Sequence, residues 1–232
     1  AIQDIFENHK EDQLYFLTTK PYFELFKKNP FIHEVILDKR FSRFNLIYLY
    51  FLMKKLKKLN LKKVYDLQNS SRTNFYKNIL FRNSNFNQWS SSATTLPEGD
   101  KKIEFDENPV LDRFNHQLKI SGLRTFYTMK PDFNWSCSNI DKIKKKYDLS
   151  KYIVFFPFCS AHLQHKKWPH FNELADLIND KFKNEFKIVV APGPREINEA
   201  NNFRAICILD DGKALNISQL SSLIKHSSFV IA

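Results

Sequence analysis

At 232 residues, with 43% hydrophobic and 26% charged side chains, the chain has ordinary globular composition and length enough for one large domain or two modest ones. Cys137, Cys159 and Cys207 are odd in number, far apart and without a CxxC pair, which indicates neither a disulfide framework nor a zinc site and fits a reducing compartment; the longest apolar run, Leu46 to Met53, is well short of the roughly 20 residues that span a bilayer. A net charge of +11 and a pI near 9.4 suit an anionic partner, whether nucleic acid, an acidic membrane surface or a phosphorylated small molecule.

The chain opens in what reads as mid-helix, AIQDIFENH, and closes inside a strand at Phe229 to Ala232, so it is expected to be an internal fragment. The 23 Phe beside 4 Gly read as the codon bias of an AT-rich genome. Leu14 to Thr18 is a buried-strand run, Pro21 to Lys28 a short helix and Glu34 to Leu37 the next strand. From Asn45 to Leu59, apolar residues at Leu46, Leu49, Tyr50, Met53, Leu56 and Leu59 recur at spacings of three and four and predict an amphipathic helix. Its last turns carry Lys54, Lys55, Lys57 and Lys58. Val64 to Leu67 is a strand, Arg72 to Arg82 a helix and Phe86 to Ser90 a further strand. Ser90 to Lys102 is polar and reads as a loop. Val110 to Ser121 is a helix with Gly122 as its stop.

Lys130 to Lys151 lacks a strong apolar period and is read as an interdomain linker with a lead-in helix. After it come strand Tyr152 to Pro157, helix Pro169 to Lys183, strand Lys187 to Ala191, helix Arg195 to Phe203, strand Ala205 to Leu209, helix Ser218 to Lys225 and strand Ser228 to Ile231. Strands alternating with helices of this length imply right-handed crossovers and a parallel sheet in each half. The predicted class is therefore α/β, with a domain at 1–130, a linker at 131–151 and a second domain at 152–232. In such folds ligands bind where strands end and loops begin, which draws attention to Tyr152–Glu196, with its polar, basic loop between strand and helix.

Four features in order carry a family resemblance. They are Asp66-Leu67-Gln68 after an apolar strand with Arg72-Thr73 beyond; His116 in a helix before Gly122; Lys166-Lys167-Trp168-Pro169; and Pro192-Gly193-Pro194-Arg195-Glu196. Together with Asn29 to Ile36, they make the chain resemble the bacterial heptosyltransferases of glycosyltransferase family 9, which build the inner core of lipopolysaccharide. The resemblance implies a GT-B architecture of two Rossmann-like domains, both incomplete here, the first receiving the acceptor and the second the nucleotide sugar. It also implies inverting, metal-independent transfer of a heptose from ADP-heptose to a glycolipid, with no cofactor, in the cytoplasm with peripheral contact at the inner membrane.

On that resemblance Lys166 approaches the donor diphosphate, where a cation offsets charge developing on the leaving group. Residue by residue, it is otherwise a solvated loop lysine, and Lys167 a bystander. Ser160 can offer its hydroxyl or backbone N–H to phosphate. Gly193 belongs to the same donor set, and Glu196 is placed on the adenosine ribose or serves as an acid favoured by the following helix's dipole. His162 and His165 lack a third metal ligand nearby. Trp168-Pro169 is expected to be structural, Pro near the helix start and Trp beneath the loop. Asp66 either orients the acceptor or caps the following helix, and Arg72 is an acceptor contact of the kind that suits phosphate and carboxylate. The lysines from Lys54 to Lys63 form either a solvated face or a dock for an anionic membrane.

No catalytic residue is expected within the chain: the family's base is an aspartate that would precede Ala1, and its Asp-Thr-Gly donor element would follow Ala232. The chain alone is therefore expected to be inactive. The alternatives are a non-catalytic nucleotide-sugar binder, a GT-B epimerase, or a nucleic-acid-binding protein, the last opposed by scattered cations and the lack of a known module.

Overall fold

A computed structural model of the chain describes residues 1–80 and 89–232. The chain divides into two compact units, Ala1–Asp132 and Phe133–Ala232.

The first unit begins with α1 (Ile2–Asn8), followed by β1 (Tyr15–Thr19), α2 (Lys20–Phe26) and β2 (Glu34–Asp38). Pro21 sits in the first turn of α2, where no N–H is needed. β1 and β2 run parallel, Tyr15 opposite Glu34 through Thr19 opposite Asp38. Next come α3 (Leu46–Lys58), β3 (Val64–Tyr65), α4 (Ser71–Leu80) and β4 (Trp89–Ser90), with β3 and β4 also parallel. The predicted residues 81–82 of the helix and 86–88 of the strand lie outside the described residues.

α3 starts at an Asn45 cap, whose side chain accepts from Tyr48 N at 3.0 Å. Its buried side is Leu49, Leu52 and Leu56, packed with Ile36 and Tyr76. That corrects the predicted stripe, because Leu46 and Tyr50 face solvent. The helix is apolar on nearly every side in its first half, so spacing alone leaves the buried face undetermined. α5 (Lys102–Glu107) and α6 (Val110–Ile120) complete the unit. The loop expected from Ser90 to Lys102 thus gives way to a helix at its end. Past α6, Gly122 has φ +84°, a left-handed stop that glycine adopts without a Cβ penalty.

A buried carboxylate ties the ends of this unit together. Asp4 on α1 accepts from Phe126 N at 2.8 Å, from Tyr127 N at 3.0 Å, and from Thr128 N at 2.7 Å and Thr128 Oγ1 at 2.6 Å. Burial by itself would raise this carboxyl, but the four donors hold it below the usual range.

In the second unit, α7 (Asp141–Lys146) leads to β5 (Tyr152–Phe155), α8 (Phe171–Phe182), β6 (Lys187–Val190), α9 (Ile197–Ala200), β7 (Ile206–Cys207), α10 (Ile217–Lys225) and β8 (Phe229–Ile231). One parallel sheet has the order β7-β6-β5-β8. Strand alternation sends successive side chains to opposite faces. Tyr152, Val154, Val189 and Ala191 pack on one side with Ile143 and Leu223, while Ile153, Phe155, Ile188 and Val190 pack on the other with Phe171, Ala175 and Ile178. Helices therefore cover both faces, which is why these strands read as continuous apolar runs. Each fully buried Val or Ile contributes roughly 1.5–3 kcal/mol by leaving water.

The segment read as a linker is part of this body. Ile140, Ile143 and Leu149 belong to its core, and buried Ser222 on α10 donates to Ser138 O at 2.5 Å and accepts from Ser138 N at 2.8 Å. α10 is opened by a capping box, Asn216 Oδ1 accepting from Gln219 N and Gln219 Oε1 accepting from Asn216 N, each at 3.0 Å.

Candidate functional site

In the second unit the strand order turns around at β5. From β5 the chain moves to β6 and β7 on one side and then returns to place β8 on the other. Loops that leave the carboxyl ends of strands at such a point part from one another and open a crevice. Phe155 pairs with Val190 and with Ile231, so the loops after β5 and β6 leave one sheet edge side by side.

The first of these loops turns into a 3-10 segment, Ala161–Lys166. Ser160 precedes it and is exposed; its carbonyl accepts from Leu163 N at 2.8 Å, and its hydroxyl caps nothing. The two neighbouring lysines divide in role. The Lys167 ammonium pairs with Glu199 on α9 and lies 5.9 Å from the centre of the Phe203 ring. Lys166 is exposed and forms no ion pair among the described residues, so its charge remains available to an anion. His162 and His165 are exposed as well, and among the described residues no group of His, Cys, Asp or Glu is placed to hold a metal ion.

Trp168 is 46% exposed, with its ring 5.2 Å from Phe171 and 5.7 Å from His170. It lies over the start of α8 instead of beneath the loop. Pro169 stands before His170, the N-cap, so it is one step outside the helix start it was expected to occupy. The rigid base is Phe171, which packs with Phe155 and Phe203.

The second loop is a tight turn closed by its own acid. Gly193 N donates to Glu196 Oε2 at 2.8 Å, and Glu196 N donates to Gly193 O at 3.0 Å. A Cβ on residue 193 would stand 3.0 Å from that same Oε2, so glycine allows the carboxylate to fold back this closely. Glu196 is also the N-cap of α9. One carboxylate oxygen is thereby spent on the turn, and the other has no partner among the described residues.

The residues singled out in the first unit behave differently. Asp66, buried after β3, accepts from Gln68 N at 3.1 Å and Asn69 N at 3.0 Å, and its carbonyl accepts from Gln117 Nε2 at 3.2 Å. It shapes the loop, while the cap of α4 is a Ser70–Thr73 exchange: Ser70 N donates to Thr73 Oγ1 at 2.9 Å and Thr73 N to Ser70 Oγ at 3.3 Å. Asp66 also borders a depression of about 290 Å³ that mixes polar residues, among them Asn69, Ser70 and Lys102, with Trp89 and Ala93. His116 contacts Thr95 O at 2.8 Å through Nε2.

Arg72 is largely spoken for. Its Nε donates to Tyr76 Oη at 2.6 Å, Nη1 to Phe41 O at 2.8 Å, and Nη2 reaches Asp38 Oδ1 at 3.5 Å. The centre of that cluster, Asp38, was missed from sequence. It ends β2, is buried, and accepts from Arg40 N and the Tyr48 hydroxyl, each at 2.8 Å, and from the Tyr76 hydroxyl at 2.9 Å. An acid closing a parallel strand just before Lys39-Arg40 is the signal that points to it.

No protein-family model and no curated protein matches the sequence. Solved structures do match, across 99% of this chain in each case. A glycosyltransferase of family 9 from Veillonella parvula DSM 2008 shares 14% identity, is covered over 71% of its length and superposes with a TM-score of 0.67. The E. coli ADP-heptose lps heptosyltransferase II shares 13%, with 72% of its length covered and a TM-score of 0.60. E. coli heptosyltransferase WaaC with ADP shares 13%, with 78% covered and a TM-score of 0.58. Sequence identities this low speak for architecture, and in architecture this chain has the GT-B fold of the family 9 glycosyltransferases.

Proposed function

We propose that the chain is part of a glycosyltransferase that moves a heptose or related sugar from an ADP-sugar to a lipopolysaccharide core or similar glycolipid. Transfer inverts the anomeric carbon and needs no metal. The observation that carries the reading is the division between the two lysines: Lys167 is neutralised by Glu199, while Lys166 stands exposed and unpaired among the described residues at the switch-point edge. A fixed cation there stabilises the diphosphate as the sugar departs, in the manner of electrostatic catalysis. Ser160, at the start of the same loop segment, supplies a hydroxyl. The unspent oxygen of Glu196 accepts from the ribose hydroxyls, and Gly193 keeps the turn close enough to present it. In the first unit Asp66, on the rim of that depression, and Arg72, through its remaining N–H groups, serve the acceptor.

The glycolipid lies in an anionic membrane, so the reading includes peripheral contact with that surface from the cytoplasmic side. No helix among the described residues is long and apolar enough to cross a membrane.

Titration calorimetry with ADP-heptose, ADP and a single-stranded oligonucleotide tests the reading. Saturable binding of ADP-heptose and ADP, with none for the oligonucleotide, is the expected result. The reverse pattern transfers the chain to the nucleic-acid binders.

A further inference from the structure

The first unit carries a surface that neither its core nor the candidate site uses. Residues 39–65 hold nine Lys and Arg and no Asp or Glu. Within that stretch α3 buries Leu49, Leu52 and Leu56, and the opposite side is defined by helical spacing. Positions 46, 47, 50, 51, 54, 57 and 58 are linked by steps of three and four and share one face. Its first half is Leu46, Ile47, Tyr50 and Phe51, which are 74%, 73%, 55% and 61% exposed, and Phe44 just before the helix is 91% exposed. Its second half is Lys54, Lys57 and Lys58, all exposed and without ion pairs among the described residues. Lys55, off this face, donates to Glu34 at 2.7 Å.

The patch is held rigid from behind. The Asn45 cap fixes the start of the helix, and the Tyr48 hydroxyl anchors it to Asp38 at the end of β2. Contiguous exposed apolar side chains of this kind mark an interaction surface.

Charge decides among the occupants. A second copy would bring the same cations against these. A nucleic acid would satisfy the lysines and leave Phe44, Leu46, Ile47 and Phe51 in water. An anionic bilayer satisfies both halves, because a helix lying in the interface buries apolar side chains at the acyl boundary while lysines extend along it to headgroup phosphates.

We infer that α3 is a monotopic docking element for an anionic phospholipid surface. Phe44, Leu46, Ile47 and Phe51 enter the acyl boundary, and Lys54, Lys57 and Lys58 engage phosphates. This rests on the membrane contact proposed above and makes insertion, instead of charge alone, its basis; it requires nothing of the sugar-transfer step.

The test is vesicle flotation of the 232-residue chain on phosphatidylcholine with and without about one third phosphatidylglycerol. The wild type is expected to float with anionic vesicles and to retain part of that binding at about 0.5 M salt, where surface attraction is screened. The triple variant Phe44→Ser, Ile47→Ser, Phe51→Ser, all exposed positions, should bind at least about tenfold more weakly with an unchanged melting temperature. Lys54→Glu, Lys57→Glu, Lys58→Glu should lose binding at low salt. Trp placed by Phe51→Trp should shift blue and be quenched by brominated lipid beyond the wild-type background. Equal flotation of the Ser variant, or an unquenched Trp, overturns insertion while leaving charge-driven contact intact. A wild type that ignores vesicles overturns both. A wild-type dimer abolished in the Ser variant assigns the face to a second copy instead, and nucleotide-sugar calorimetry reports separately on the transferase reading.

Discussion

The Tyr76 hydroxyl donates to Asp38 Oδ2 at 2.9 Å, with both side chains buried, and so an acid at the end of a strand organises the loops around it. Arg72, only 11% exposed in its side chain, depends on Asp38 for a countercharge. Removing one partner of a buried pair leaves the other uncompensated. Asp38→Ala should therefore cost the first unit about 3 kcal/mol, and Tyr48→Phe, which deletes one neutral donor, about 1 kcal/mol. Urea unfolding followed by Trp89 fluorescence, with Trp135 and Trp168 replaced by Phe, isolates this unit. A loss for Asp38→Ala no larger than that for Tyr48→Phe would show that the cluster does not act as a charge pair.

The same cluster sets a pH response at both ends of the scale. Burial would raise the Asp38 carboxyl, yet the donors Arg40 N, Tyr48 and Tyr76 and the nearby Arg72 charge hold it below its usual range. Its contribution is thus present above the unfolded carboxyl pKa of about 3.9 and disappears as pH falls through the lower folded value. At the alkaline end, burial first and then hydrogen bonding to Asp38 push Tyr48 up to about 12; outside the cluster, in the second unit, burial likewise pushes Tyr152 up to about 12. Unfolded tyrosine ionises near 10, so stability should fall between roughly pH 10 and 12 as only the unfolded chain gains phenolate. Phenolate absorbance should show these side chains ionising late, and together with unfolding. Independent ionisation near pH 10 in the folded chain would contradict their burial.

Adjacent lysines should separate cleanly under mutation. Lys166→Ala removes a charge with no partner among the described residues, so stability should stay within about 0.5 kcal/mol while ADP-sugar affinity drops by about tenfold, the worth of one charge-assisted contact. Lys167→Ala breaks a partly exposed pair with Glu199, costing up to about 1 kcal/mol of stability and little affinity. Calorimetry and thermal melts on the two variants decide it, and equal affinity losses would remove the distinction on which the proposed donor site rests.

Asp4→Asn should destabilise the first unit by about 2 kcal/mol. An amide offers one acceptor oxygen where the carboxylate receives donors on both, and its own N–H groups would face Phe126, Tyr127 and Thr128 N–H groups. Hydrogen exchange at Thr128 N is the local readout. Retained protection there would mean that the turn stands without the acid.

What the sequence conveyed was local, and what it concealed was not. β5 and β6 were legible because YIVF and IVV are short, continuous apolar runs, and α10 because it falls between two such runs; its Asn216–Gln219 capping box was a further local signal that went unread. Lys166 and Glu196 could be singled out only because the Lys166–Pro169 and Pro192–Glu196 stretches after those strands resemble a known family; by itself Lys166 reads as a solvated loop lysine. By contrast, Asp38 meets Tyr76 across 38 residues and Asp4 meets Thr128 across 124; the place of Asp38 at a strand end hints at a role but not at its partners, and nothing nearby announces Asp4 as buried. The partial commitment of Arg72 followed from the same remoteness: its residue type suits an anionic ligand, and the fold already sets one anion, Asp38, beside its guanidinium. The 131–151 stretch looked like a linker because its core contacts, Ile140, Ile143 and Leu149, are spread among lysines. α3 misled for the opposite reason, having more apolar residues than one buried face can use.

The Asp4 clasp also has a consequence for biosynthesis. A ribosome adding about 5–20 residues each second needs roughly 6–25 seconds to travel from Asp4 to Thr128, which lie 124 residues apart. Throughout that interval the carboxylate lacks every donor that later surrounds it. The unit can close only after nearly all of it has been translated, and in the meantime the apolar face of α3 is already out of the tunnel, free to meet a lipid surface or a chaperone before the fold behind it is sealed.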